Sequence, residues 1–250
     1  MPEIGEDLVG SIAQAINSAK VPCVLWGHYL LNLHGVPSII GSIDFVVPDK
    51  DLPASAKSLA PFKTLKACND VGSCPTSSPN RYTPPPAFHK HLEQDPEVTV
   101  DLHLQSKTLW FLPPLNDSVL YPAKASLPSH YVLASDRSVL PPWRPGRGYG
   151  FFRSDRNVVV VPRSHVMLEA FIRLHARDSG KRIGSFSLSM IAYIQQYVDD
   201  DGLLDIGQLP GPLKASYIEL REGKKPVRQW TKELREALGV VVEDSDDDCS

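Results

Sequence analysis

No stretch of this chain approaches the roughly 18 consecutive apolar residues that a membrane-spanning helix needs, which excludes an expected transmembrane segment. The opening Met1-Pro2-Glu3-Ile4-Gly5-Glu6-Asp7 is acidic and weakly hydrophobic, so it lacks the basic region of a secretory signal. An intracellular, cytoplasmic home without a membrane partner is the expectation. Cysteine is scarce: positions 23, 68, 74 and 249 show no C-x-x-C pair, and read as reduced thiols, with Cys23 in a core strand. A zinc site can be drawn from Cys68, Cys74, His89 and His91. Its Cys-x5-Cys spacing is loose and the Ser/Pro-rich residues between fix nothing, so that reading is set aside.

Charge of one sign is also missing from the body of the chain. The formal net charge is -3, and Glu243, Asp244, Asp246, Asp247 and Asp248 alone carry -5, leaving +2 for the rest. Nothing in that balance demands nucleic acid. The tail, residues 240–250, has almost nothing to bury and is expected to be solvated, with a basic partner as one use for it. The 250 residues and 42% hydrophobic content suit a globular protein with a substantial core.

What is present is an order of elements. Ile4, Leu8, Val9, Ile12, Ala15, Ile16 and Ala19 recur at helical spacing, and predict an amphipathic helix before a strand at Val21 to Trp26. A short helix from Tyr29 to His34 follows, with Gly35 as its stop, then a strand from Ile43 to Val47. Leu52 to Ala60 reads as a helix and Phe62 to Ala67 as a strand. Asn69 to Ala87, rich in Pro and Ser, reads as a long loop of the functional or mobile kind. Val98, Val100, Leu102 and Leu104 alternate with Thr99, Asp101 and His103, the period of a half-buried strand. Between Pro113 and Pro145 only short strands, near Leu109 to Leu112 and Tyr131 to Leu133, are expected. Tyr149 to Arg153 and Val158 to Val161 read as a hairpin, and helices over Pro162 to Arg177, Phe186 to Val198, Pro212 to Leu220 and Pro226 to Leu238 complete the chain.

Two segments carry chemistry. Trp26-Gly27-His28 ends one apolar run, and after the thirteen residues Tyr29 to Gly41, Ser42-Ile43-Asp44-Phe45-Val46-Val47 begins another. Residues two apart on a strand share a face, so Ser42 and Asp44 point together while Ile43 and Phe45 enter the apolar side. Acids on such a face can hold Mg2+, which takes oxygen ligands and shares its shell with substrate phosphates. A rival register, with Gly41-Ser42 as the phosphate turn and Asp49-Lys50-Asp51-Leu52 as the acid pair, places Lys50 in the apolar middle position. Pro48 to Asp51 reads better as a turn into a capped helix.

The glycine-ended strand, short helix and acid-bearing second strand resemble the nucleotidyltransferase superfamily of the DNA polymerase beta type. They are most similar to nucleotidyltransferase-like proteins related to the toxins of type IV toxin-antitoxin systems. That family reads Gly-Gly or Gly-Ser where this chain has Gly27-His28, and Asp where it has Ser42. The resemblance implies an α+β fold, a mixed sheet flanked by helices with a helical C-terminal part. Residues 1–162 would form the nucleotidyltransferase-like region, 163–239 the helical region packed on it. It implies Asp44 and Asp101 as catalytic metal ligands for Mg2+, and Gly27, His28 and Ser42 as nucleotide-binding positions. A nucleoside triphosphate would be the donor and an unknown hydroxyl the acceptor. With serine at position 42 the site is electrostatically weaker, so a binding module without turnover stands beside the transferase. Arg144, Arg147, Arg153, Arg156 and Arg163, set among glycine and aromatics, offer a third reading as a nucleic-acid grip, against solvent-facing arginines on a hairpin.

Overall fold

The computed structural model describes residues 5–78, 80–122, 126–154 and 156–240. The acidic tail from 241 onward, Ile4 and Asp155 lie outside the described residues. Helix α1 (Glu6–Ser18) buries Val9, Ile12 and Ile16, the stripe expected from its spacing. Strand β1 (Val24–Trp26) runs straight into α2 (Gly27–Leu33), and β2 (Ser42–Val47) returns antiparallel to it. The chain then crosses over through α3 (Leu52–Ser58), β3 (Leu65–Ala67) and β4 (Phe88–Leu92) before β5 (Thr99–Leu104) pairs parallel with β2. The sheet order is β1-β2-β5-β4-β3, so the two acid-bearing strands occupy its centre.

One of these strands was not expected. Phe88-His89-Lys90-His91-Leu92 follows the proline run directly and has three polar residues in five, which hides its alternation. It pairs antiparallel with both β5 and β3.

Two short helices, α4 (Gln105–Thr108) and α5 (Asp117–Leu120), follow β5, and Leu109 to Leu112 is a turn between them rather than a strand. The expected hairpin is also corrected. Val160–Pro162 (β7) pairs with Tyr131–Leu133 (β6), while Tyr149 to Arg153 forms no strand. Gly150 has a φ of +72°, and a side chain there would meet the Pro141 carbonyl at 2.3 Å, so this segment packs as backbone against backbone. Arg144 and Arg147 both bind Asp201, at 2.8 and 2.7 Å, and are therefore committed to an internal tie.

Helices α6 (Ser164–Asp178), α7 (Gly184–Ile194), α8 (Gly211–Glu222) and α9 (Val227–Ala237) supply the helical C-terminal part. Their buried residues, including Phe171, Ile191, Tyr217 and Trp230, join those of the sheet in one hydrophobic cluster. The architecture is α+β, a mixed five-stranded sheet flanked by helices. Among the described residues no helix is long and apolar enough to cross a membrane.

Candidate functional site

Parallel pairing of β2 with β5 sets Asp44 directly beside Asp101, and Ser42 beside Thr99. Register neighbours in a sheet share a face, so the two carboxylates project to the same side, while Ile43 and Phe45 are fully buried on the other. Donor atoms of Asp44, Asp101 and His103 all lie within 4.8 Å of one another. His103, two residues beyond Asp101 on the same face, completes the cluster. Alternation puts it on that face, but nothing in the sequence tells that it reaches the neighbouring strand.

The two acids differ in their surroundings. Asp44 is held on both oxygens: Ser42 Oγ donates to Oδ2 at 2.8 Å, and His103 Nε2 stands 3.0 Å from Oδ1. Asp101 is 1% exposed, and neither of its oxygens has a hydrogen-bond partner of normal geometry among the described residues. Burial, then the neighbouring Asp44 charge, push the Asp101 carboxyl up to about 7. The Thr99 side chain offsets that rise only in part, so a cation would still satisfy these buried oxygens.

Gly27 closes the site from above. Its φ is +67°, and a Cβ there would lie 2.3 Å from Asp44 Oδ2. Only glycine lets the strand-to-helix turn approach the carboxylate so closely. Gly27→Ala is expected to cost about 1–2 kcal/mol in left-handed backbone strain alone, and to displace Asp44 besides. A lowered melting temperature is the readout. His28 is the next residue, and its imidazole bonds to Ser38 Oγ and meets Phe186 edge-on. Burial holds it below the ordinary histidine value, against the opposing pull of Asp44.

These residues form part of the wall of a cavity of about 670 Å3, within the range of small-molecule sites. Gly27, His28, Ser42, Asp44 and His103 all line it, whereas Asp101, beside Asp44 in the sheet, does not. Trp26 stacks on Phe171 of α6, with ring centroids 5.1 Å apart, which gives the cavity an aromatic side. Cations also line it, among them Arg81, Arg177 and Lys181. Asp178, 2% exposed, anchors two of them, with Arg177 Nη2 at 2.6 Å and Lys181 Nζ at 3.0 Å. Burial would raise the Asp178 carboxyl, but the two cations more than offset it and hold it below the ordinary range. Arg177 also stacks over the Trp110 ring at 4.8 Å.

No protein-family model matches this chain, and no curated protein does. A solved structure of an antigenic nucleotidyltransferase-like protein from Paracoccidioides brasiliensis is similar over 91% of each chain, at 13% identity and a TM-score of 0.44.

Proposed function

We propose that this chain is a divergent nucleotidyltransferase-like protein. Its cavity takes a nucleoside triphosphate and moves the nucleoside monophosphate to a hydroxyl acceptor: the acceptor oxygen bonds to the α-phosphorus as the α–β phosphoanhydride bond breaks, pyrophosphate leaves and the hydroxyl proton passes to solvent. The observation that carries the reading is the register pairing of Asp44 with Asp101 on adjacent parallel strands, closed over by the Gly27 turn. Asp44 and Asp101 would hold a divalent ion, Mg2+, and the unpartnered Asp101 oxygens fit one. When bound, such an ion neutralises charge that develops on the phosphates. Arg177 and Lys181 pair with further phosphate oxygens, and the Gly27-His28 backbone approaches them with N–H groups. Trp110 and Phe186 offer ring faces to a base.

A second reading keeps the scaffold as a nucleotide- or protein-binding module without turnover. It is favoured by the Ser42 hydroxyl, which donates to Asp44 where the family has a third negative oxygen donor. One ion fits this donor set better than the pair that bridges both ends of an in-line displacement. Titration calorimetry with nucleoside triphosphates in Mg2+ or Mn2+, beside release of labelled product, separates the readings. Binding lost in Asp44→Ala with product formed by the unaltered chain supports transfer; binding without product supports the module. Binding that Asp44→Ala leaves unchanged overturns both.

A further inference from the structure

A second cluster lies on the outer half of the same sheet, beside the carboxylates, since His89 pairs in register with Asp101. His89 and His91, two apart on β4, share a face by alternation. The chain between β3 and β4 folds back so that Cys68 and Cys74 meet them. Donor atoms of all four residues lie within 4.8 Å of one another. Cys74 Sγ is 3.4 Å from His89 Nε2 and 3.5 Å from His91 Nε2. Ligands arranged tetrahedrally about zinc, with Zn–S about 2.3 Å and Zn–N about 2.0–2.1 Å, stand about 3.6 Å apart from sulfur to nitrogen. The observed spacing therefore already matches a coordination shell.

The four side chains turn their donor atoms toward one another rather than outward. His91 Nδ1 lies 2.6 Å from the Pro96 carbonyl, and only a protonated Nδ1 can donate there. In the neutral ring that leaves the Nε2 lone pair facing sulfur. Cys74 Sγ faces His89 Nε2 as well, so both imidazoles converge on one sulfur. The outward hydrogen bond from His91 to a backbone carbonyl is the support that zinc-bound imidazoles use.

We propose that Cys68, Cys74, His89 and His91 bind one structural Zn2+ in a closed tetrahedral site. Two thiols lose their protons to the solvent as the ion enters, so its affinity rises with pH. The ion ties the long segment after β3 to β4, near an edge where β3 is only three residues long. That segment carries Arg81 to the cavity. Arg81 Nε donates to Thr83 Oγ1 at 2.7 Å, and its guanidinium also binds the carbonyl of Thr76, two residues beyond Cys74. Through this chain of contacts the ion would fix the cavity's loop wall, whether or not the cavity holds a nucleotide.

The test uses the full chain, purified without a histidine tag under reducing conditions. Elemental analysis is expected to find one zinc per chain. Exchange for Co2+ is expected to give thiolate-to-cobalt charge transfer and the strong ligand-field bands of a tetrahedral centre. Both should persist in Asp44→Asn and vanish in Cys74→Ser, with His91→Ala losing at least tenfold in zinc affinity. Absence of zinc together with absence of a thiolate-cobalt band in the reduced, folded chain overturns the proposal, as does a Cys68–Cys74 disulfide in protein kept reducing. Zinc retained by Cys74→Ser but lost from Asp44→Asn overturns it too, since the ion would then belong to the carboxylates.

Discussion

With no magnesium or manganese added, Asp101→Asn is expected to be more stable than the unaltered chain at about pH 8 and close to it at about pH 4. The carboxyl of Asp101 is raised to about 7 in the folded protein, by burial and then by Asp44, whereas an unfolded aspartate titrates near its ordinary ~3.9. Between those values the folded chain holds a proton that the unfolded chain has released. Stability from this group therefore falls as pH rises through the window, and the full penalty stands above about pH 7. Holding the proton across that window corresponds to a penalty on the order of 4 kcal/mol once it is lost. Asparagine keeps the shape and never ionises. The difference between the two denaturation curves, followed from acid to mild alkali, isolates Asp101 from the other titrating groups. Mg2+ or Mn2+ should restore stability to the unaltered chain at the alkaline end and do little for the variant. Parallel curves across the whole range would mean that Asp101 is not an uncompensated buried acid, and the cation site would lose its main support.

The alternation of residues 98–104 is enough to place Asp101, and the strand-turn-helix punctuation around Gly27 is enough to place Asp44. Apolar periodicity is a local signal, and both acids lie on elements that follow it. Their adjacency is not legible, because parallel pairing of β2 with β5 depends on a crossover of more than fifty residues. Arg177 and Lys181 are visible as cations near the end of a helix. Their shared anchor, Asp178, shows only once the helix end is packed beneath the cavity. The Cys/His cluster is the clearest case in which spacing misleads. Cys-x5-Cys looks loose because the intervening residues lack regular structure, but the fixed half of the cluster is His-x-His on β4, a strand whose histidines and lysine mask it. The misplaced hairpin has a related cause: Tyr149 to Arg153 alternates acceptably, yet Gly148 and Gly150 commit it to close backbone packing against α2 and the Pro141–Trp143 turn.

Ser42→Asp should have opposite effects with and without a divalent ion. In the metal-free chain the change replaces a hydroxyl donor, 2.8 Å from Asp44 Oδ2, with a like charge. Two unit charges about 4 Å apart at an effective dielectric of 20 repel by about 4 kcal/mol, so the apo protein should lose several kcal/mol or keep one acid protonated. A divalent ion reverses the sign, because the added carboxylate then faces a double positive charge and supplies the oxygen donor that serine lacks. Affinity for Mn2+ should rise at least tenfold, read by calorimetry or by the ion-dependent gain in melting temperature. Labelled nucleotide follows the chemistry in the same samples. Product formed by Ser42→Asp but not by the unaltered chain would identify a catalyst silenced at this one position, with the remaining ligands and the phosphate-binding cations still in working geometry. Tighter metal binding without product would place the deficit elsewhere, in the commitment of Asp44 to His103 or in the wall of Arg81 and proline that closes the cavity. If Mn2+ binds the variant no better than the parent, positions 42 and 44 do not share an ion, and the nucleotide reading of the cavity fails with them.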